Sequence, residues 1–153
     1  MTTIQSRLQA LGLTLPPVSP PAAAYVPFVR TGSLVFLSGH IAKRDGKPWV
    51  GKLGLDMDTA TGQQAAHAVA VDLMGTLSAA LDGDLERVVR IVKLMGLVNC
   101  TPQYTEAHLV INGCSQLLGE VFAERGTHAR SAFGVAQTPL GSCVEIELTA
   151  EVR

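Results

Sequence analysis

Charged residues and cysteines are both scarce in this sequence. Only 16% of its 153 residues are charged and the formal net charge is −1, so the chain lacks the excess of positive charge with which proteins bind nucleic acid or anionic membranes. Its three cysteines form an odd number and include no Cys-x-x-Cys pair, which argues against a disulfide framework and against a zinc site. We therefore expect a cytoplasmic protein with no metal and no nucleic-acid partner.

Long apolar runs are absent as well. No stretch approaches the roughly 20 apolar residues of a membrane-spanning helix, and the first residues lack the basic and then apolar pattern of a secretion signal. The chain does contain enough apolar material for a core, since 47% of its residues are hydrophobic, and its length suggests one domain. These features predict a globular protein with no membrane partner.

The spacing of apolar residues predicts helices alternating with strands. The helices are expected at 4–12, 59–81 and 102–125. The strands are expected at 25–30, 34–38, 87–98 and 144–152, with a short extended stretch at 132–136 and a mostly irregular segment at 42–57.

Helix-start signals place the two long helices. Thr61 with Gln64 fits a capping box at the start of the first, and Thr101 with Pro102 fits the N-cap and first turn of the second. Gly126 is expected just after the end of the second helix. The N-terminal helix is expected to stop near Gly12.

The last strand gives the clearest indication of the fold class. Residues 144–152 read VEIELTAEV, in which apolar and polar residues alternate. One face of such a strand packs on a core, while the other does not. Combined with the order of the other elements, this predicts an α+β sandwich: one mixed sheet with two long helices on one face.

An arginine in the stretch THARSAF (127–133) is the first candidate for a functional group. The guanidinium of Arg130 presents a planar fork that matches a carboxylate, and the hydroxyl of Ser131 and nearby backbone N–H groups could join the same grip. The alternative is that Arg130 pairs with a surface glutamate and contributes little.

Three blocks of the sequence resemble the signature blocks of the Rid family, also called YjgF/UK114 or "endoribonuclease L-PSP"-like. They are 25–41 (YVPFVRTGSLVFLSGHI), 129–140 (ARSAFGVAQTPL) and 144–152. The resemblance covers 22–153 as a single domain and leaves 1–21 as an N-terminal extension. It implies the fold of the trimeric Bacillus-type chorismate mutase, a homotrimer whose sheets form a closed barrel with clefts between neighbouring subunits.

The resemblance also implies a reaction. Deaminase members hydrolyse enamines or imines to 2-oxo acids and ammonia without a cofactor, and their arginine, which holds the substrate carboxylate, falls on Arg130. Their strand glutamate, which holds the attacking water, falls on Glu145. The residues alone do not choose between Glu145 and Glu147, which lie two positions apart on one face of a strand.

Further positions carried over from the family would complete a site for a small carboxylate, whether an imine, an enamine or a 2-oxo acid. The serine after the second strand falls on Ser38, the tyrosine that opens the first strand on Tyr25, and the helix asparagine on Asn112.

The chain departs from the best-known deaminases near these positions. His40 stands where a glutamine is usual and His128 where a proline is usual. Both histidines could line one cleft and titrate near neutral pH; the alternative is that each is a hydrogen-bonded, partly buried residue. These departures leave open a non-catalytic trimer that binds a small carboxylate as a sensor or regulator. RNA cleavage is not expected, because the chain lacks a basic stripe.

Overall fold

The computed structural model describes residues 3–153, which form three α-helices, a five-stranded sheet and a small hairpin. The helices are α1 (Ile4–Ala10), α2 (Thr59–Ala80) and α3 (Ala107–Phe122). The strands of the sheet are β1 (Phe28–Thr31), β2 (Leu34–Ile41), β5 (Val88–Asn99), β6 (Ala129–Val135) and β7 (Val144–Val152). The hairpin pairs β3 (Lys43–Arg44) with β4 (Lys47–Pro48), and 3-10 turns lie at Leu85–Arg87, Ala123–Gly126 and Pro139–Gly141.

The sheet is mixed, with strand order β1-β2-β7-β5-β6. Strands β5 and β6 are parallel, because α3 connects them as a crossover, and every other pair is antiparallel. Strand β2 lies inside the sheet and β6 forms one edge. The predicted α+β class, with one mixed sheet and two long helices on one face, is confirmed.

The core lies between the sheet and the pair α2 and α3. In β7 the residues Val144, Ile146, Leu148, Ala150 and Val152 are all buried, as the alternation predicted. The opposite face of the sheet, here called the open face, carries Glu145 and Glu147 but also large apolar side chains, with Phe36 44% and Phe133 46% exposed. None of the helices within residues 3–153 combines the length and the apolarity that a membrane crossing requires.

Helix α2 begins at Thr59, as predicted, but the capping box at Thr61 and Gln64 is wrong. The N-cap is Asp58, whose carboxylate accepts a hydrogen bond of 2.8 Å from the backbone N–H of Thr61. An aspartate satisfies a free N–H of the first turn as well as a threonine does. Thr61 is therefore not the N-cap but a first-turn residue whose backbone N–H is capped by Asp58.

Helix α3 is shorter than the predicted 102–125, and Thr101 is not its N-cap. The backbone N–H of Thr101 donates instead to the carbonyl of Leu53, which continues the pairing of the chain beyond β5. The helix starts only at Ala107 and ends before Ala123, which has a positive φ of 54°. Tertiary pairing at Leu53 thus overrides a good local start signal.

The ends of the other helices and strands differ from the predicted ones by a few residues. Helix α1 stops at Ala10, close to the predicted end, and Gly12 has a positive φ of 67° that turns the chain. Strand β1 begins at 28 rather than 25, and β2 continues to 41 through a bulge between Leu37 and His40. Strand β6 begins at 129 rather than 132, so Arg130 lies in a strand and not before one.

Candidate functional site

Arg130 projects from the edge strand β6 towards the helices. It pairs in register with Leu94, whose side chain is buried in the core, so both side chains leave the same face of the sheet. The half-buried guanidinium donates from Nη1 to Ser115 Oγ at 3.0 Å, and from Nη2 to Asn112 Oδ1 at 2.9 Å and the carbonyl of His108 at 2.8 Å. Helix α3 thus fixes the direction of the guanidinium.

The ion-pair interpretation of Arg130 does not hold in this chain. Among residues 3–153 the ion pairs are Arg87 with Asp82 and Arg125 with Glu86, and neither includes Arg130. Its acceptors are neutral oxygens, so its positive charge remains available to an anion.

His128 supports the same guanidinium through Ser115. Its Nδ1 lies 2.6 Å from the carbonyl of Gly126, which can only accept, so Nδ1 carries a proton. In the neutral ring Nε2 is then an acceptor, and the Ser115 hydroxyl, 2.9 Å away, donates to it while accepting from Arg130. Burial, and then the charge of Arg130, lower the pKa of His128, which favours this neutral form. We call Asn112, Ser115, His128 and Arg130 the arginine half-site; they line a shallow pocket of about 280 Å³.

Replacing Ser115 with alanine removes one of the oxygens that hold Arg130. A hydrogen bond to a charged group contributes ~1.5 kcal/mol or more, so KM for a carboxylate substrate should rise about tenfold, with a smaller change in kcat. Steady-state kinetics check this, and Ser115→Thr, which keeps the hydroxyl, should stay close to wild type. Unchanged KM in Ser115→Ala would show that α3 does not position the arginine.

Tyr25, Ser38 and His40 line one pocket beside the β2 strand, far from β6. Ser38 and His40 lie in β2, but Tyr25 precedes β1 rather than opening it. The Ser38 hydroxyl donates to the carbonyl of Val26 at 2.6 Å. His40 Nδ1 lies 2.6 Å from the Ser38 carbonyl, and Nε2 lies 2.7 Å from the hydroxyl of Thr76 on α2. By the argument used for His128, Nδ1 of His40 carries the proton and Thr76 donates to Nε2.

The two histidines do not share a cleft within one chain. They line separate pockets, His40 with Ser38 and His128 with Arg130. Each is partly buried with both ring nitrogens hydrogen-bonded, and burial lowers the pKa of both. The hydrogen-bonded alternative of the sequence analysis therefore describes both histidines.

Glu145 lies on the open face of β7, between Ile41 of β2 and Leu97 of β5. Burial raises the pKa of its half-buried carboxyl, and the negative charge of Glu147 raises it further. The carboxylate rests against Gly39 in the bulge of β2: a Cβ there would collide with Oε1 and lie only 3.2 Å from Cδ.

Adding a methyl group at Gly39 should displace this carboxylate. The colliding atom is the end of a flexible side chain, so we expect Gly39→Ala to change the melting temperature little. In the reaction that the family resemblance implies, Glu145 holds the attacking water, so we expect kcat to fall about tenfold or more when the carboxylate is displaced. Thermal unfolding and single-turnover rates check the two expectations. A kcat equal to that of wild type would separate Glu145 from the reaction.

The candidate residues therefore fall into two groups that one chain cannot bring together. We call Tyr25, Ser38, Gly39 and Glu145 the serine half-site. Arg130 and Glu145 leave opposite faces of the sheet, and β5 separates their strands. Ser131, paired with Met95, is exposed and points away from Arg130 to the open face.

Ser115 is the member of the arginine half-site that the sequence analysis missed. It lies three residues after Asn112, so it shares a face of α3 with it. That spacing was the available signal. No group of three or more His, Cys, Asp or Glu side chains in the described part of the chain is arranged to hold a metal ion.

Comparison with known proteins identifies relatives of the whole chain. A family model described as "YjgF/chorismate mutase-like, putative endoribonuclease" matches residues 5–152. Protein TCP17 of Trypanosoma cruzi is 43% identical over 152 residues, which is 98% of this chain and 94% of that protein.

Two solved structures share the fold closely. Atu1372 from Agrobacterium tumefaciens, of unknown function, is 42% identical with a TM-score of 0.90, over 99% of this chain and 94% of that one. A protein from Shewanella oneidensis described as a "putative endoribonuclease" is 33% identical with a TM-score of 0.93, over 98% and 99%.

Proposed function

The chain belongs to the YjgF/chorismate mutase-like family, the Rid family of the sequence analysis, and on this premise we propose that it hydrolyses small imines and enamines to 2-oxo acids and ammonia. The proposal includes a cytoplasmic homotrimer whose sites lie between subunits and take a small carboxylate. The observation that carries it is Arg130, a cation fixed by α3 against neutral oxygens.

The assembly follows from where the two half-sites lie. The arginine half-site is at the β6 edge of the sheet, whereas the serine half-site lies on and beside β2 and on the central strand β7. A head-to-tail contact that places the β6 edge of one subunit beside β1 and β2 of the next would unite them, and repetition of that contact closes a ring. Three copies, as in the trimeric chorismate mutase, would turn the open faces inward and cover Phe36 and Phe133.

In the united site Arg130 binds the substrate carboxylate. A guanidinium has five N–H groups, and three of those of Arg130 find acceptors among residues 3–153. The other two, one on Nε and one on Nη1, remain, and each can donate a single hydrogen bond to an anion. Holding the carboxylate fixes the imine carbon relative to the second half-site, and such orientation can supply much of the rate enhancement.

Glu145 then serves as the base of a hydrolysis. It takes a proton from water as the oxygen adds to the carbon of the protonated imine, and a neutral carbinolamine forms. Glu145 passes this proton to the nitrogen, and as the C–N bond breaks it takes the proton of the hydroxyl group, so that ammonia and the 2-oxo acid are released. That last proton then passes from Glu145 to solvent. Oxidation states do not change, and an enamine enters the same path after tautomerising to the imine. The raised pKa of Glu145 makes it a stronger base than an exposed glutamate.

The test generates imines in situ from amino acids and follows imine loss and 2-oxo acid formation with and without the protein. We expect catalysed hydrolysis and a mass of three chains by light scattering. Binding of 2-oxo acids without faster loss of any imine would favour the alternative, a carboxylate-binding trimer that acts as a sensor or regulator. Neither binding nor turnover would end both proposals.

A further inference from the structure

A cavity of about 250 Å³ lies beneath residues 16–22, here called the proline segment. The segment rests on α2 at Gly75, where a Cβ would collide with the carbonyl oxygen of Pro16. On the other side Lys43 Nζ donates a hydrogen bond of 3.2 Å to Ser19 Oγ. Proline restricts the backbone, so the segment forms a stiff roof over the cavity.

The cavity adjoins the serine half-site. Tyr25, Ser38 and Gly39 all line it, and Gly39 is also the residue against which the carboxylate of Glu145 rests. Glu145 itself does not line the cavity, so Gly39, which has no side chain, lies between the two. A substrate whose imine carbon lies beside Glu145 would reach the cavity by passing its side chain over Gly39.

Two opposite charges line the cavity without neutralising each other. Asp72 of α2 and Lys43 both face it, yet neither takes part in the ion pairs formed within residues 3–153. Burial raises the pKa of Asp72, while the positive charge of Lys43 acts in the opposite direction. His40 lines the cavity but is not expected to hydrogen-bond a substrate, since both its ring nitrogens are already hydrogen-bonded.

We propose that this cavity receives the substrate side chain and selects an uncharged end that both donates and accepts hydrogen bonds, such as a carboxamide. The proposal rests on the proposed function and names its substrate class. A cationic end attracted by Asp72 is repelled by Lys43, and an anionic end attracted by Lys43 is repelled by Asp72, so neither gains the full attraction of its partner. An apolar end would displace water from both charges without replacing its hydrogen bonds. A carboxamide can present its oxygen to Lys43 and its N–H groups to Asp72.

The test compares imines generated from alanine, leucine and glutamine by an amino acid oxidase. Leucine and glutamine side chains are similar in size, so they differ mainly in polarity, which is the property by which the cavity is proposed to select substrates. We expect kcat/KM for the glutamine-derived imine to exceed that for the leucine-derived imine about tenfold or more, because a site built for hydrogen bonds rejects an analogue that lacks them. The corresponding 2-oxo acids, measured by calorimetry, should bind with the same preference.

Variants locate the origin of the preference. Asp72→Leu and Lys43→Met should each bring the ratio near unity, while Glu120→Leu, which removes an exposed carboxylate from α3, should keep it. Equal rates and equal binding for the glutamine and leucine compounds in the wild type would overturn the proposal, whether or not the variants fold. Preferential binding of the glutamine-derived 2-oxo acid without turnover of any imine would uphold the cavity and remove the proposed reaction instead.

Discussion

Replacing Arg130 with alanine is expected to lower kcat/KM for imine hydrolysis by about 30–3,000-fold, because removing one partner of a desolvated, hydrogen-bonded charge pair costs ~2–5 kcal/mol. The side chain is held by three oxygens of α3 and its positive charge meets no carboxylate of its own chain. Most of the loss should appear as weaker binding of carboxylate substrates, measured by steady-state kinetics and by titration with a 2-oxo acid.

Two further variants show which property of Arg130 the loss of activity depends on. Arg130→Lys keeps the charge but cannot keep all the hydrogen bonds by which α3 holds the planar guanidinium, so it should recover only part of the activity. Arg7→Ala removes another guanidinium that donates to a carbonyl of α3, that of Val121, from the distant helix α1; it should stay close to wild type. Equal rates for Arg130→Ala and the wild type would remove Arg130 from the mechanism.

Replacing Glu145 with glutamine is expected to lower kcat by about 10²–10⁴-fold, the usual contribution of general base catalysis. The amide keeps the shape of the side chain beside Gly39 but cannot take a proton from water. Because binding depends mainly on Arg130, the affinity for 2-oxo acids should change little. Rapid-mixing kinetics and calorimetry together distinguish this result from a damaged site, and an unchanged kcat would contradict the role of Glu145.

Glu147→Gln is the matched control for Glu145→Gln, and it should shift the pH profile of the reaction in a defined direction. The negative charge of Glu147 raises the pKa of Glu145, so its removal lowers that pKa. Hydrolysis needs Glu145 ionised, and the acid limb of kcat/KM should therefore move to lower pH while the plateau is retained. A shift to higher pH would show that the two carboxylates do not interact as described.

The sequence predicted best where local pattern and tertiary packing agree. The alternation of 144–152 was sufficient to identify β7, because a strand that packs on one side repeats every second residue. The start of α3 could not be predicted in this way: Thr101 and Pro102 form a good local signal, but pairing with Leu53 extends the chain there instead.

The site was predictable as a set of residues but not as an arrangement. The resemblance of the sequence motifs to the family identified Arg130, Asn112 and Glu145 as site residues. It could not show that β6 and β7 direct the arginine and the glutamate to opposite faces of the sheet. The bond between Ser115 and His128 depends on how α3 packs over the start of β6, which no spacing in the sequence encodes.

Mixed assemblies test most directly whether each site is shared by two chains. Chains with Arg130→Ala and chains with Glu145→Gln, carrying different tags, are co-expressed and purified through both tags. In a ring of three with head-to-tail contacts, every mixed trimer has one cleft that combines the intact Arg130 of one chain with the intact Glu145 of its neighbour. We therefore expect recovery of about one third of wild-type activity from two nearly inactive parents. Mixed trimers no more active than the parents would contradict it.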